Sequence, residues 1–194
     1  MIRDKNIEYK YQSLYLPALA FDVKISGTPV DAGDAADTYV ENASTGLLGY
    51  LMDADEGGVS VMMPTPTHID WDNSVQYRVL YSTLAGQTGA ITWELHAKES
   101  NFGALPAVEH TDDAEFVSLA DTASTAAVLL ATPWGKADSS STNAITGTKD
   151  IIKIYVEIES GHDKSPHFHG LEIRYLPKLT DGPQVNNQAD PTDA

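Results

Sequence analysis

The strongest candidates for metal chemistry are three histidines near the end of the chain, His162, His167 and His169. On a β-strand, His167 and His169 would point to the same side, which is the arrangement that two ligands of one metal ion need. Glu172 follows closely, but on a regular strand its carboxylate would face away from both imidazoles. We therefore predict no metal and no cofactor. If a metal were bound, these three histidines would be its ligands. The alternative is that they belong to a polar loop that leads into a core strand.

No other catalytic pattern is present in the sequence. There is no Gly-x-Ser-x-Gly elbow for nucleophilic catalysis and no phosphate-binding glycine loop after a strand. The chain has no cysteine, which excludes disulfides, thiolate zinc sites and cysteine nucleophiles. A carboxylate pair for glycoside hydrolysis is assembled by the fold, so the 28 acidic residues neither support nor exclude one. We predict that the protein is not an enzyme.

Aromatic residues offer two possible binding surfaces. Trp71 and Trp134 lie in polar, turn-like sequence, where exposed rings would stack on sugars; the alternative is that both rings close the ends of the fold. Tyr9, Tyr11 and Tyr15 alternate along an extended segment and share one face. Because tyrosine is enriched in interfaces, this face predicts contact with another protein.

The charge of the chain restricts its partners. Twelve basic residues against 28 acidic ones give a net charge of −16. Such a protein is repelled by phosphates, so we predict no nucleic-acid partner and no binding to an anionic membrane. An acidic surface suits solubility, or docking on a basic patch of another protein.

Short β-strands would have to position these residues. The clearest strand spans 151–159, where apolar and polar residues alternate with a period of two. Ile152, Ile154, Val156 and Ile158 are predicted to enter the core, and Lys153, Tyr155, Glu157 and Glu159 to face solvent. The same alternation predicts strands at 58–63, 76–82 and 91–98, with Trp93 directed inward and Ser82 outward.

The remaining segments complete an all-β pattern. Weaker strands are predicted at 9–15, 18–23, 46–52, 127–132 and 171–176. Helical turns are predicted within 31–44 and 111–125, the latter from the spacing of Phe116, Leu119 and Ala120. We therefore predict an antiparallel β-sandwich of the jelly-roll type. The chain divides into an extended N-terminal arm (1–16), the jelly-roll domain (17–179) and a polar C-terminal tail (180–194).

The order of these segments resembles a known family. The arm EYKYQSLYLP (8–17) precedes the run VMMPTPTHIDWD (61–72), the strand pair 75–81 and 91–98, the strand 151–159 and the closing run LEIRY (171–175). Together they resemble the small jelly-roll virion proteins of tailed bacteriophages, particularly the head cement or decoration proteins. The resemblance implies a non-enzymatic homotrimer on the capsid exterior that bridges capsomers of the major capsid protein.

Two alternatives remain open from the sequence. One is a carbohydrate-binding jelly-roll module, for a host receptor or glycan, that uses Trp71 and Trp134 at a phage fibre or tail. The other is a metal-dependent jelly-roll enzyme centred on His167 and His169.

Overall fold

Two antiparallel β-sheets make up the part of the protein that the computed structural model describes. The structure describes residues 11–24, 39–52, 58–71, 75–103, 117–123, 128–136, 145–158 and 166–177. Within these ranges the regular elements are strands and one short 3-10 turn. The predicted all-β class and the antiparallel β-sandwich are therefore confirmed.

The strands are numbered in chain order. They are β1 (Gln12–Pro17), β2 (Asp22–Lys24), β3 (Tyr39–Glu41), β4 (Leu48–Leu51), β5 (Gly58–Pro64), β6 (Gln76–Ser82), β7 (Gly89–Ser100), β8 (Val117–Ala123), β9 (Leu130–Ala131), β10 (Gly135–Lys136), β11 (Ile151–Ile158) and β12 (His167–Tyr175), with the 3-10 turn at Ala18–Ala20. The seven-stranded sheet has the order β10-β6-β12-β4-β3, with β1 also paired with β12 and β9 with β6. The five-stranded sheet has the order β2-β5-β11-β7-β8.

The alternating strands bury the faces that their patterns assign to the core. The inward residues of β7 and β11 are all buried: Ile91, Trp93, Leu95, Ala97, Ile152, Ile154, Val156 and Ile158. Trp93 belongs to the five-stranded sheet, and its ring centroid lies 5.5 Å from that of Tyr81 and 6.2 Å from that of Phe168. Tyr81 and Phe168 belong to the other sheet, so these aromatic contacts join the two layers.

The predicted helical turn within 111–125 is wrong where the structure describes it. Residues 117–123 form β8, which pairs in register with β7. Val117 and Leu119 are buried while Ser118 and Ala120 are exposed, which is the period of a strand. Phe116, whose position gave the segment its helical spacing, lies outside the described residues. In the other stretch, 31–44, the described part holds β3 and the start of a tight turn.

The polar face of β11 is not the solvent-exposed face that its alternation predicted. Tyr155 is 1% exposed and Glu157 is 4% exposed, which corrects the prediction for both. β11 is the middle strand of its sheet, and the ring of Tyr155 lies against Gly58 of the adjacent β5. Lys153 is partly exposed, and Glu159 lies outside the described residues.

The end of the N-terminal arm is a strand of the sandwich. β1 pairs with residues 170–175 of β12, so the predicted boundary after residue 16 falls inside a strand. This pairing uses backbone groups that a free arm would offer to a neighbouring subunit. Residues 1–10, including Tyr9, and the predicted tail 180–194 lie outside the described residues.

Strand β12 has two different neighbours along one of its edges. His167 and Phe168 pair with β4, whereas residues 170–175 pair with β1. The other edge pairs with β6, and the register there shifts between Phe168 and Gly170. Such a β-bulge changes which face the following side chains occupy. Phe168, Leu171 and Ile173 consequently all lie in the core.

Gly170 permits the close approach of β1 at the point where the edge changes neighbour. A Cβ at this position would lie 2.5 Å from the carbonyl oxygen of Leu16 and 2.8 Å from a ring carbon of Tyr15. These distances are shorter than van der Waals contact, so any side chain here would force β1 away from β12.

We expect Gly170→Ala to lower the free energy of unfolding by about 1–3 kcal/mol, because the added methyl group overpacks the β1–β12 contact. Urea denaturation followed by tryptophan fluorescence measures this change. Ser13→Ala, an exposed substitution on β1, is the control and should change stability by at most about 0.5 kcal/mol. Unchanged stability of Gly170→Ala would contradict the close approach.

Candidate functional site

An apolar cleft lies where β12 changes its neighbour from β4 to β1. Its volume is about 210 Å³. It is lined by Tyr15, Pro17, Ala18, Leu19, Tyr39, Leu47, Leu48, Leu129 and His169. These residues come from distant parts of the sequence, and the pairing of β12 with β1 and β4 brings most of them together. We refer to this surface as the apolar cleft.

The apolar side chains around the cleft are largely open to solvent. Leu19 is 71% exposed, Leu48 is 54% exposed and Leu129 is 52% exposed, and Tyr15 and Leu47 are exposed as well. Single apolar residues are common on protein surfaces, but a contiguous group around a concavity is typical of a binding surface.

Buried polar side chains form a chain of hydrogen bonds next to the cleft. His169 donates from Nδ1 to the carbonyl oxygen of Leu48 (2.8 Å), so its neutral ring must accept at Nε2 from Ser82 Oγ (2.7 Å). Ser82 Oγ in turn accepts from Asn42 Nδ2 (2.8 Å). The same amide nitrogen lies 3.3 Å from Nδ1 of His167, which acts as an acceptor. These partners determine the tautomers of both histidines.

Asn42 and Gly49 make this packing possible. Asn42 is fully buried, and its Oδ1 accepts from the backbone nitrogens of Ser44 (2.8 Å) and Thr45 (3.3 Å). The Asn42-Ala43-Ser44 sequon is therefore inaccessible to glycosylation in the folded protein. A Cβ on Gly49 would lie 2.7 Å from Nδ1 of His169, so the absence of a side chain there lets the imidazole reach Leu48.

The Ser82–His169 contact has the length of a nucleophile–base pair but not its accessibility. In an activated serine, the Oγ donates to an imidazole whose other nitrogen is oriented by a third group, which is usually a carboxylate and here is the carbonyl oxygen of Leu48. Ser82, however, is fully buried, although it lies on the face of β6 opposite to the core residue Tyr81. Within the described residues its oxygen is shielded from solvent, and the hydrogen bond to His169 connects β6 to β12.

Burial affects the protonation of both histidines. Burial lowers the pKa of His167, and the proximity of His169 lowers it further. Burial also lowers the pKa of His169 below its usual 6.5, against the opposing effect of its hydrogen bond to Leu48. Both rings are therefore neutral at pH 7, as the hydrogen bonds require.

The predicted metal ligands are placed together only in part. His167 and His169 share one face, but hydrogen bonds occupy both nitrogens of His169 and Nδ1 of His167. The β-bulge moves Glu172 to the same face, which corrects the expectation from a regular strand. Its Oε2 accepts from Arg78 Nε at 2.8 Å, so its carboxylate is paired with a cation. His162 lies outside the described residues.

The aromatic residues proposed for binding have other partners. Trp71 is buried, donates from Nε1 to the carbonyl oxygen of Pro66 (3.1 Å) and packs against Gly147. Arg78 and Arg174 lie 4.4 Å and 4.3 Å from the ring centroid of Trp134. These contacts are cation–π interactions, and they involve the ring that the sequence suggested for stacking on a sugar.

Of the three tyrosines predicted as an interface, Tyr15 is the one that the structure places at the cleft. Its hydroxyl donates to the carbonyl oxygen of His169 (3.1 Å), and its ring is half exposed. Tyr11 stacks on Arg174 at 4.8 Å from the ring centroid instead. Tyr9 lies outside the described residues.

The sequence reasoning missed the leucines of the cleft. A signal for them exists, because Leu47-Leu48 and Val128-Leu129-Leu130 are consecutive apolar residues. Neighbouring residues of a strand point to opposite faces, so such a run must place at least one apolar side chain outside the core.

Comparisons with known proteins identify no relative. No protein-family model, no curated protein and no solved structure matches this chain. Among the described residues, no helix is long and apolar enough to cross a membrane.

We expect the protein to lose stability as the pH falls below about 6.5, the value at which an unfolded histidine gains its proton. The folded protein binds these protons less readily because the pKa values of His167 and His169 are lowered. The loss of stability that these histidines cause is absent above pH 6.5. It increases as the pH decreases from 6.5 towards their pKa values in the folded protein. Urea denaturation at several pH values between 7.5 and 5 measures the slope.

A histidine variant tests whether this pair causes the slope. His169→Gln removes one titrating group and should make stability depend less steeply on pH, by up to about 1.4 kcal/mol per pH unit. Ser13→Ala, an exposed substitution that removes no titrating group, is the control and should leave the slope close to that of the wild type. Equal slopes in all three proteins would show that the buried pair is not responsible.

Proposed function

We propose that this protein is a non-enzymatic structural protein that acts by packing its apolar cleft against another protein. The observation that carries the proposal is the group of exposed apolar side chains, Leu19, Leu48, Leu129 and their neighbours, around one concave surface. An exposed apolar surface of this kind is costly in water unless a partner covers it, because burial of apolar area is the main favourable term in association.

The shape of the cleft favours a protein partner over a small molecule. At about 210 Å³ it is smaller than the roughly 300–1,000 Å³ of typical ligand pockets. A cavity of this size accommodates one or two apolar side chains of a partner, and the leucines that surround it would become buried around them. The buried Ser82–His169 pair offers no accessible nucleophile, which supports a non-enzymatic role.

In its particular form, the proposal is a homotrimeric cement or decoration protein on the head of a tailed bacteriophage. The sequence resemblance over residues 8–176 motivates it, and the jelly-roll winding of the sandwich is part of the same proposal. The partner in the cleft is then the major capsid protein, and the location is the exterior of the virion. The net charge of −16 favours a shell surface with basic residues around an apolar anchor.

The modest size of the apolar cleft is compatible with such an assembly. A small contact is weak by itself, but a trimer that engages several capsomers at once gains affinity through effective concentration. The tryptophans do not favour the carbohydrate-binding alternative, since Trp71 is buried and two guanidinium groups cover Trp134.

We expect Leu48→Ser and Leu129→Ser each to weaken binding to phage heads purified without this protein by about tenfold or more, because each removes an anchor from the interface. Co-sedimentation with the heads measures the affinity. Met62→Ser is the matched control, since Met62 is similarly exposed (56%) but lies on β5 of the other sheet. If all three variants bind like the wild type, the cleft is not the docking surface.

A mass measurement tests the oligomeric state. We expect analytical ultracentrifugation to give a particle of three times the 20.9 kDa chain mass. Quantitative mass spectrometry of purified virions should detect the protein in the particles. A monomer that is absent from virions would contradict the cement role. The binding of the leucine variants tests a separate point, namely whether the cleft is the docking surface.

A further inference from the structure

Three side chains with metal-binding chemistry meet on the outer face of the five-stranded sheet. Glu94 and His96 lie two residues apart on β7 and share one face, and Glu157 of β11 stands directly opposite Glu94 in the antiparallel register. One ligand atom from each lies within 4.8 Å of the other two. Among the described residues, these three are the histidine and carboxylate side chains that lie close enough together to hold one metal ion.

We propose that Glu94, His96 and Glu157 form a binding site for one divalent transition-metal ion, with Zn²⁺ as the preferred ion. One imidazole and two carboxylates are ligands that Zn²⁺ accepts, and three protein ligands leave a fourth position for water. The site is separate from the apolar cleft, which lies on the other sheet, and it does not depend on the proposed function.

The distances between the ligand atoms suit a single small ion. Two ligands that are each about 2.1 Å from a tetrahedral ion lie about 3.4 Å apart. Nε2 of His96 is 3.0 Å from Oε1 of Glu157 and 3.7 Å from Oε2 of Glu94, on either side of that value. The two glutamate oxygens lie within 4.8 Å of each other, so coordination of one ion requires them to approach by at most about 1.4 Å.

The electrostatics of the site also favour a cation. Two carboxylates directly opposite each other on neighbouring strands repel, and burial strengthens the repulsion. The Glu157 side chain is 6% exposed and that of Glu94 is 23% exposed. A divalent ion neutralises both carboxylates and binds the neutral form of His96.

Other charged groups lie further along the same face. Tyr155 is opposite His96, and the next pair on this face is Lys98 opposite Lys153. A proton on His96 would also attract the two carboxylates, so a proton and a metal ion compete for this site. Added zinc distinguishes the two cases, because it stabilises the protein if the three side chains bind a metal ion but not if they only share a proton.

The ion would act as a structural link between β7 and β11. The ligands are half-buried to buried, and the strands are neighbours in the centre of the sheet. Because an ion that binds only the folded state raises its stability by mass action, zinc should raise the unfolding temperature.

The experiment compares the full chain, stripped of metal with a chelator, before and after addition of Zn²⁺. At a zinc concentration 100-fold above the dissociation constant, we expect an increase in Tm of roughly 5–10 °C. Elemental analysis after dialysis should find one zinc per chain, and Mg²⁺ should leave the Tm unchanged because it binds imidazole poorly. An equal increase with Mg²⁺, or no increase with Zn²⁺, overturns the proposal.

Two ligand variants and one matched control locate the site. His96→Asn and Glu157→Gln should abolish the increase, whereas His68→Asn, which removes an exposed histidine elsewhere, should retain it. An increase that persists in both ligand variants overturns the proposal. If those variants fail to fold, Co²⁺ added to the wild-type protein decides: intense visible absorption of four-coordinate Co²⁺ that zinc displaces supports the site, and its absence rejects the site.

Discussion

Backbone pairing along β12 is the constraint on which the seven-stranded sheet depends. One edge of this strand pairs with β6, and the other is divided between β4 and β1. Every backbone group of a buried strand needs a hydrogen-bond partner, so the division must occur where the chain tolerates an irregularity. The β-bulge next to Gly170 provides it, and the apolar cleft lies at this same position.

The change of neighbour along β12, from β4 to β1, also explains why polar and apolar residues meet at one surface. At the change of neighbour, His167 and His169 project from β12 into a space closed by Asn42 and Ser82. A buried polar network is stable only when its members are satisfied, and here each histidine has a specific partner. The satisfied network forms a rigid support beside the exposed leucines. A rigid surface loses less entropy on binding a partner, which suits a docking role.

Part of the fold and little of the site could be predicted from the sequence. The strands β6, β7 and β11 were predicted with their buried faces correctly assigned, since alternation needs only neighbouring residues. The prediction of a helical turn at β8 was wrong because Ala120 is compatible with either period, and pairing with β7 decided the outcome. Among the site residues, the shared face of His167 and His169 was predicted, but their hydrogen-bond partners lie more than 80 residues away.

The sequence by itself determined the fold class of the protein. Alternation of apolar residues at period two specifies half-buried strands, and such strands without amphipathic helices build an antiparallel sandwich. The tertiary structure alone decided which strands are neighbours and in which register. That choice places Glu157 opposite Glu94, turns Glu172 to the face of the histidines and gathers the leucines around the cleft. The physical reason is that register depends on the summed packing and hydrogen bonding of whole strands, and a bulge of one residue changes the face of every side chain after it.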